Sequence, residues 1–304
     1  MELRHLRYFV AVAEELHFAR AAEKLGIAPP TLTVQIHELE RGLQARLFDR
    51  DRRAVSLTYA GEVFLIEARE TLARFERALL TGRRAGRGEL GGIEMGYVGA
   101  AVFSGVLQKL VSGFRRVWPD VAIHARELPM ATLPARVDDG TLDIGFVRMP
   151  VAIPRTLRAH VVARDRYFLA VPMGHPLAND DKPIRPRALS GESFVVPEQV
   201  HGTQQVGQRG GFMPDIVMAP GSLVSVLTQV SLGAGIAIVP DVVRGIVGLP
   251  AVVLKTLAGP PIESDVSMLY RADERSPAAL NFIQQVLATE ALPAGSRRLH
   301  GSRR

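Results

Sequence analysis

The chain of 304 residues is long enough for two or three domains and a sizeable core. With 47% hydrophobic and 22% charged residues it has the composition of an ordinary soluble globular protein, and the absence of cysteine excludes disulfides, thiolate zinc sites and cysteine nucleophiles together. Its net charge of +6 falls to about +2 without Arg297, Arg298, Arg303 and Arg304 of an acid-free terminal tail, so global charge says little about nucleic acid.

The first few residues are charged and lack the apolar core of a signal peptide, and no apolar run is long enough to span a bilayer. A cytoplasmic protein with no membrane partner is therefore expected, which weighs against a periplasmic solute binder. A first helix is predicted over about Leu3 to Glu15, with Leu6, Phe9, Val10 and Ala13 on its packed side. Phe18, Ala21, Ala22 and Leu25 then fall at i, i+3, i+4 and i+7, one apolar face of a short helix. Gly26 is placed to close that helix in the left-handed conformation. Pro29 and Pro30 suit the first turn of the next helix, where a missing N–H costs nothing. That helix buries Leu32, Ile36 and Leu39 and turns Thr31, Thr33, Val34, Gln35, His37 and Glu38 outward. Two helices joined by so short a turn form a helix-turn-helix, whose second helix can enter a DNA major groove.

Leu47 to Thr58 reads as a wing: Phe48 anchors it, Asp49 to Arg53 make a charged tip, and Val55 and Leu57 alternate as a strand does. From Tyr59 to about Arg84 there is no proline, and Leu65, Ala68, Leu72, Phe75 and Leu79 recur in steps of three and four. Such a heptad seam fits pairing with another helix, while the alternative is a helix lying against its own domain. Gly82 to Gly92 is a hinge. It contains Gly86-Arg87-Gly88-Glu89-Leu90-Gly91, formally a dinucleotide fingerprint, but the predicted order is helix, loop, strand, whereas that chemistry needs a strand before the loop and a helix after it.

Beyond the hinge, strands and helices alternate as in an α/β fold. The expected elements are a strand at Ile93 to Val98, a helix at Gly105 to Arg116, a strand at Val121 to Glu127, a helix at Leu133 to Asp139 and a strand at Leu142 to Val147. A second subdomain begins at Arg166 to Val171 and holds Ser193 to Val196, a strand near Ile216, a helix at Leu223 to Leu232 and a strand at Gly235 to Val239. The chain returns through Ser267 to Tyr270 and a last helix, Ser276 to Leu287. Two α/β lobes with crossing strands leave a cleft suited to a small ligand. Enzyme signatures are missing: the eight histidines show no metal spacing and no serine sits in a G-x-S-x-G elbow. Ser104 is placed to cap the helix after it, and His175 in Gly174-His175-Pro176-Leu177 lies in a loop. No catalytic residue, cofactor or metal is expected.

The opening Met1-Glu2-Leu3-Arg4-His5-Leu6-Arg7-Tyr8-Phe9-Val10-Ala11-Val12-Ala13-Glu14, the run Phe18-Ala19-Arg20-Ala21-Ala22-Glu23-Lys24-Leu25, and Leu47-Phe48-Asp49-Arg50, Leu57-Thr58 and Ala60-Gly61 together resemble LysR-type transcriptional regulators. The resemblance continues more weakly to about Leu287. Gly96-Tyr97-Val98-Gly99-Ala100 and Gly145-Phe146-Val147-Arg148 are most like the subgroup controlling the breakdown of aromatic compounds. The family implies an all-α-plus-wing amino-terminal domain (1–58), a linker helix and hinge (59–90), and a two-lobed α/β effector-binding domain like periplasmic binding proteins (91–291). Lobe I would be about 91–163 and 267–291, and lobe II about 164–266. Residues 292–304 make a basic tail expected to be disordered. The implied partners are double-stranded DNA, a small effector such as an aromatic or dicarboxylic acid, a second copy paired through the linker helix, a tetramer of two such dimers, and RNA polymerase if the protein activates. A ligand in the cleft would shift the angle between dimers and alter DNA bending. Two other readings stay open: a constitutive DNA binder with a vestigial cleft, and a small-molecule sensor that does not act on DNA.

On the DNA face, Pro30, Thr31, Thr33, Val34 and Gln35 and the wing residues Arg52 and Arg53 are the candidate contacts. The family usually has Gln before the proline and Ser-Arg on the recognition helix, where this chain has Pro29, Thr33 and Val34. Val34 and Thr33 suit a thymine methyl, Thr33 can also donate a hydrogen bond, and Gln35 suits a phosphate or adenine edge; the alternative for Val34 is the protein core. Arg52 and Arg53 suit phosphates or a minor groove, against plain solvated charge. In the cleft, the resemblance points to the loop Gly99-Ala100-Ala101, to Met130, to Arg148 at a strand end, and to Pro197 and Ser222 of the facing lobe. Arg148 is either a carboxylate partner or an ordinary structural ion pair. Ala100 and Met130 stand where the subgroup often has hydroxyls. The stretch from Pro197 to Gly211 is short, leaving a truncated helix with Gln204, Gln205 and Gln208 and suggesting a less polar ligand.

Overall fold

Apolar residues spaced one helical turn apart set the first elements of the chain. A computed structural model describes residues 1–50, 55–179, 182–245 and 251–289, and the chain divides into two compact units, Met1–Arg84 and Ala85–Arg304. Arg52, Arg53 and the 292–304 tail lie outside the described residues. In the first unit, α1 (Leu3–Glu15), α2 (Phe18–Leu25) and α3 (Pro29–Leu43) pack on one another. Between α2 and α3, Gly26 takes φ 65°, and its N–H bonds back to Ala22 and Glu23, a left-handed closure that glycine adopts at no steric cost. Leu32, Ile36 and Leu39 are all buried. On α1 Phe9 and Val12 are fully buried, Val12 not having been expected, while Val10 packs against the same core half-buried.

The wing consists of β1 (Phe48–Arg50) and β2 (Val55–Leu57), antiparallel, with Phe48 opposite Leu57. The Phe48 ring lies 5.3 Å from Phe9 and 5.8 Å from Phe18, while the Phe64 ring meets Phe9 at 5.1 Å, tilted by 57°. Each such pair contributes about 0.5–1.5 kcal/mol beyond the area it buries. The long helix α4 (Tyr59–Gly86) begins tight against the wing: a Cβ on Gly61 would stand 2.1 Å from the Leu47 carbonyl oxygen, so only glycine fits. The predicted seam needs correcting here. Ala68 is buried and Leu65 and Leu72 pack on the core of their own unit, and the helix is pinned to α1 by Arg7–Glu76 and Arg69–Glu14. The large apolar residues of α4 that are exposed are Tyr59, Val63, Ile66, Leu80 and, from the predicted seam, Leu79.

The second unit begins with β3 (Gly91–Tyr97), followed by α5 (Gly99–Phe103), α6 (Val106–Val117), β4 (Val121–Glu127), α7 (Leu133–Asp138), β5 (Ile144–Arg148) and β6 (Leu157–Ala163). β7 (Tyr167–Pro172), β8 (Ser193–Pro197), α8 (His201–Gly210), β9 (Asp215–Gly221), α9 (Leu223–Ser231), β10 (Ala237–Pro240) and β11 (Val252–Lys255) come next, and then β12 (Val266–Arg271) and α10 (Pro277–Leu287). One sheet has the order β4-β3-β5-β12-β6, with β3 parallel to β4 and β5 and with β12 antiparallel to β5 and β6. α6 and α10 cover it through Phe114 and Phe282. The other lobe combines an antiparallel β10-β7-β11 sheet with a parallel β8-β9 pair. The two strands between the lobes run side by side, with Arg166 bridged to Glu263. β6 and β11 were not anticipated, and Gly99 to Phe103 is a helix where a loop was expected. No helix among the described residues is long and apolar enough to cross a membrane.

Candidate functional site

The outward face of α3 carries Pro30, Thr31 and Val34 exposed and Thr33 and Gln35 half-buried. Val34 is 53% exposed, which removes the alternative that it faces the core. Two side chains are already engaged. The Thr33 hydroxyl donates to the Pro29 carbonyl at 3.0 Å, so while that bond holds its oxygen can only accept. The Gln35 amide nitrogen donates to Glu38 at 2.9 Å, which leaves its carbonyl oxygen for a partner.

Beneath this face lies a network that sequence reasoning missed. Glu40, buried at the far end of α3, accepts the backbone N–H of Leu47 at 2.9 Å and of Phe48 at 3.3 Å. Its other oxygen accepts from Arg50 at 3.1 Å. Arg50 also meets the Nε2 of His37 at 2.7 Å and lies 4.8 Å over the Phe18 ring. An arginine must donate, so His37 accepts at Nε2 and carries its proton on Nδ1, which is 3.4 Å from Glu40. The recognition helix and the wing strand are thus locked in one register. A buried acid at the end of an amphipathic helix was the only sequence signal for it.

In the second unit a cleft of about 530 Å³ opens between the lobes. Val98, Gly99, Ala100, Phe103, Glu127, Leu128, Pro129, Met130 and Arg148 line it from one side, and Tyr167, Pro197, Glu198, Gln199, Gly221, Ser222, Leu223, Val224 and Pro240 from the other. Of the seven expected positions only Ala101 is absent: it follows Ala100 on α5, and the helical turn points it into the lobe core, where it is fully buried. Ser222 is on the wall, but its hydroxyl caps α9 by accepting the Ser225 N–H at 3.1 Å. Ser104, expected to cap α6, instead ends α5: its hydroxyl donates to the Ala101 carbonyl and accepts the Val106 N–H at 3.3 Å, while Gly105 is the residue at the cap of α6.

Arg148, the last residue of β5, is 5% exposed and lies at the bottom of the cleft. Its Nη1 donates to the carbonyl and hydroxyl oxygens of Ser264 and stands 3.5 Å from Oδ2 of Asp165, while its Nη2 has no hydrogen-bond partner. At 3.5 Å the Asp165 contact is an ion pair without a hydrogen bond, and Oδ2 is itself unpartnered. Burial pulls the guanidinium below its ordinary value, opposed by the Asp165 charge, and the same burial pushes Asp165 up against the pull of Arg148. Gln199 ties the lobes at the cleft floor: its amide nitrogen donates to the carbonyls of Arg148 and Pro150, both at 3.0 Å, and its oxygen accepts from the Tyr167 hydroxyl at 2.7 Å. Glu198 reaches across to accept the Ala131 N–H at 3.3 Å. Neither Gln199 nor Glu198 carried a sequence signal, since their contacts join distant parts of the chain.

Residues 3–62 match the model of the bacterial regulatory helix-turn-helix protein, lysR family, and residues 87–291 match the LysR substrate binding domain. The chain belongs to the LysR family. It is 36% identical over 294 residues to the uncharacterized HTH-type transcriptional regulator YnfL of Escherichia coli (strain K12), covering 93% of this chain and 96% of that protein. It is 32% identical over 289 residues to the HTH-type transcriptional regulator AlsR of Bacillus subtilis (strain 168), at 93% and 94% coverage. Among solved structures it is similar to full-length CbnR complexed with its target DNA, with a TM-score of 0.78 and 26% identity over 94% of this chain and 99% of that one. This LysR-type protein is a DNA-binding transcriptional regulator with an effector-binding domain, and not an enzyme.

Proposed function

We propose that this LysR-type regulator reads its operator through Pro30, Thr31, Thr33, Val34 and Gln35, with Arg52 and Arg53 on the flanking backbone, and that its cleft takes a small carboxylic acid with an apolar or aromatic body. The observation that carries the effector reading is Arg148 on the cleft wall, a guanidinium whose Nη2 is buried without a hydrogen-bond partner. A buried donor left without a partner costs about 1–3 kcal/mol, and a carboxylate recovers it with a charge-assisted bond. Gly99, Ala100, Met130, Pro197 and Ser222 would form the walls around the ligand body, and the lack of hydroxyls at Ala100 and Met130 favours an apolar one. The outward stripe of Tyr59, Val63, Ile66 and Leu80 on α4 supports a dimer through that helix, with a tetramer of two dimers, a cytoplasmic location and, for an activator, contact with RNA polymerase completing the reading.

A ligand that swings the assembly nearly completely between two arrangements must prefer one by about 5.5 kcal/mol. Footprinting on the DNA upstream of its own gene, across a salt series and with and without candidate acids, tests the whole. Sequence-selective protection whose boundaries move with an acid supports it. Protection that no acid alters would favour a constitutive binder.

A further inference from the structure

The cleft that holds Arg148 also holds two carboxylates. Glu127 ends β4, and its Oε1 would stand 3.1 Å from a Cβ placed on Gly99, so the group leans over the start of α5 on the cleft wall. Among the described residues Glu127 makes neither a hydrogen bond nor an ion pair. Glu198 faces from the other lobe, with Oε1 on the Ala131 N–H. Most of the remaining wall is apolar, with Phe103, Leu128, Met130 and Val224 prominent. A second carboxylate on the ligand would meet like charges here, which disfavours a dicarboxylic acid. A protonated amine would meet partners.

We infer that the effector is a zwitterion: a carboxylic acid bearing a protonated amine and a bulky apolar or aromatic body, as in an amino acid with a large hydrophobic side chain. The inference rests on the reading of the cleft as a carboxylate site. Arg148 takes the carboxylate, Glu127 and Glu198 take the ammonium from the two lobes, and the apolar wall takes the side chain. A ligand bridging both lobes in this way closes the cleft, because the ammonium is shared between residues that belong to different lobes. That coupling is what a switch requires, since only a ligand that binds one arrangement better can shift it.

The test is calorimetry on the full chain with matched ligands: L-phenylalanine, 3-phenylpropanoate (the same body without the amine), phenethylamine (without the carboxylate) and cis,cis-muconate, with L-leucine and 4-methylpentanoate as a second matched pair. The amino acid of at least one pair should bind about tenfold more tightly than its deaminated partner. In the doubly substituted Glu127→Gln, Glu198→Gln protein that advantage should vanish while the plain acid binds at least as well as before. Both side chains are exposed, so the fold is not at stake, and a thermal melt checks that. If the plain acids bind as tightly as the amino acids, or the double substitution leaves the ratio unchanged, the zwitterion is overturned while the carboxylate site stands. Phenethylamine binding as tightly as L-phenylalanine would overturn the carboxylate site as well, and so would a failure of all six ligands to bind. Preferred binding of muconate would overturn the zwitterion alone.

Discussion

Arg50 of the wing donates to the buried carboxylate of Glu40 at the end of the recognition helix, 3.1 Å away. The same carboxylate holds the N–H groups of Leu47 and Phe48, so a single side chain fixes where the wing strand begins relative to the helix. Its removal leaves two buried N–H groups without their acceptor and takes from Arg50 its charged partner, leaving it only His37 and the Phe18 ring. Glu40→Ala should destabilise the amino-terminal unit by about 3 kcal/mol, while Glu40→Gln, which keeps one acceptor, should cost less. Chemical denaturation checks the order, and operator binding should fall with both because the wing loses its register. Equal stability of Glu40→Ala and the parent would refute the role given to this network.

Val34 projects from the same helix with no polar partner. Its apolar surface suits a thymine methyl, and such contacts choose among sequences while adding little to general affinity. Val34→Arg should therefore reorder preferences among operator variants more than it changes binding to random duplex, and Val34→Ala should cost about 1 kcal/mol of preference at one position. Competition binding against a library of single-base operator variants reads both. An unchanged ranking would place Val34 outside the groove.

How far residues alone led differs by element, for physical reasons. Leu32, Ile36 and Leu39 were legible because a helix with one wet face keeps a strict period. β6 was not: it is an outer strand with Arg158 and Ala159 exposed, so alternation breaks down, and β11 is half-buried at every position. α5 escaped notice because Gly99-Ala100-Ala101 has no polar face to reveal a period, and that helix is what turns Ala101 away from the cleft. The position of Arg148 at a strand end was legible, but the division of its guanidinium between a structural arm and a free one was not, since Ser264 lies 116 residues further on. On α4, the steps of three and four that begin with Leu65, Ala68 and Leu72 described the face that packs inward, while Leu79 at the end of the same series is exposed, and the outward stripe became visible only once the first three were seen to join the core of their own unit.

That distinction between faces can be tested. Ile66 is 62% exposed on the outward stripe of α4, whereas Leu72 packs on the core of its own unit. Ile66→Glu should convert the dimer proposed through α4 to monomer with little change in the melting of the isolated chain, as seen by sedimentation across a concentration series. Leu72→Ala should instead lower thermal stability, by about 1–2 kcal/mol for a half-buried leucine. If Leu72→Ala dissociates the dimer and Ile66→Glu does not, the seam runs along the inner face after all.

His201 opens α8 beside the Tyr167 ring, at 6.5 Å between centroids, and burial lowers its affinity for a proton below the ordinary histidine value of 6.5. The unfolded chain then protonates before the folded one. As the pH falls through 6.5 and below, the unfolded state gains protons first and the effector-binding unit loses stability; above 6.5 both states are neutral and the term disappears. His201→Gln should flatten the decline between neutral and mildly acid pH in denaturation midpoints. A decline of the same slope in the substituted protein would assign it to other groups.

In the proposed effector site the weight falls on Arg148, whose Nη1 is engaged and whose Nη2 has no partner. Nη1 is committed to Ser264 and Asp165, so a lysine can preserve the charge facing Asp165 while offering no second nitrogen to the cleft. Arg148→Lys should therefore keep the fold and weaken any carboxylate effector by about 2 kcal/mol, roughly thirtyfold, leaving affinity for operator DNA without ligand unchanged. Arg148→Met removes the charge as well and strands Asp165 in the interior, so its melting temperature should fall by more than that of the lysine variant. Calorimetry and thermal melts on the pair separate the two arms. If the lysine variant bound the effector as tightly as the parent, the free nitrogen would have no part in recognition, and the carboxylate would have to be held by the walls of the cleft.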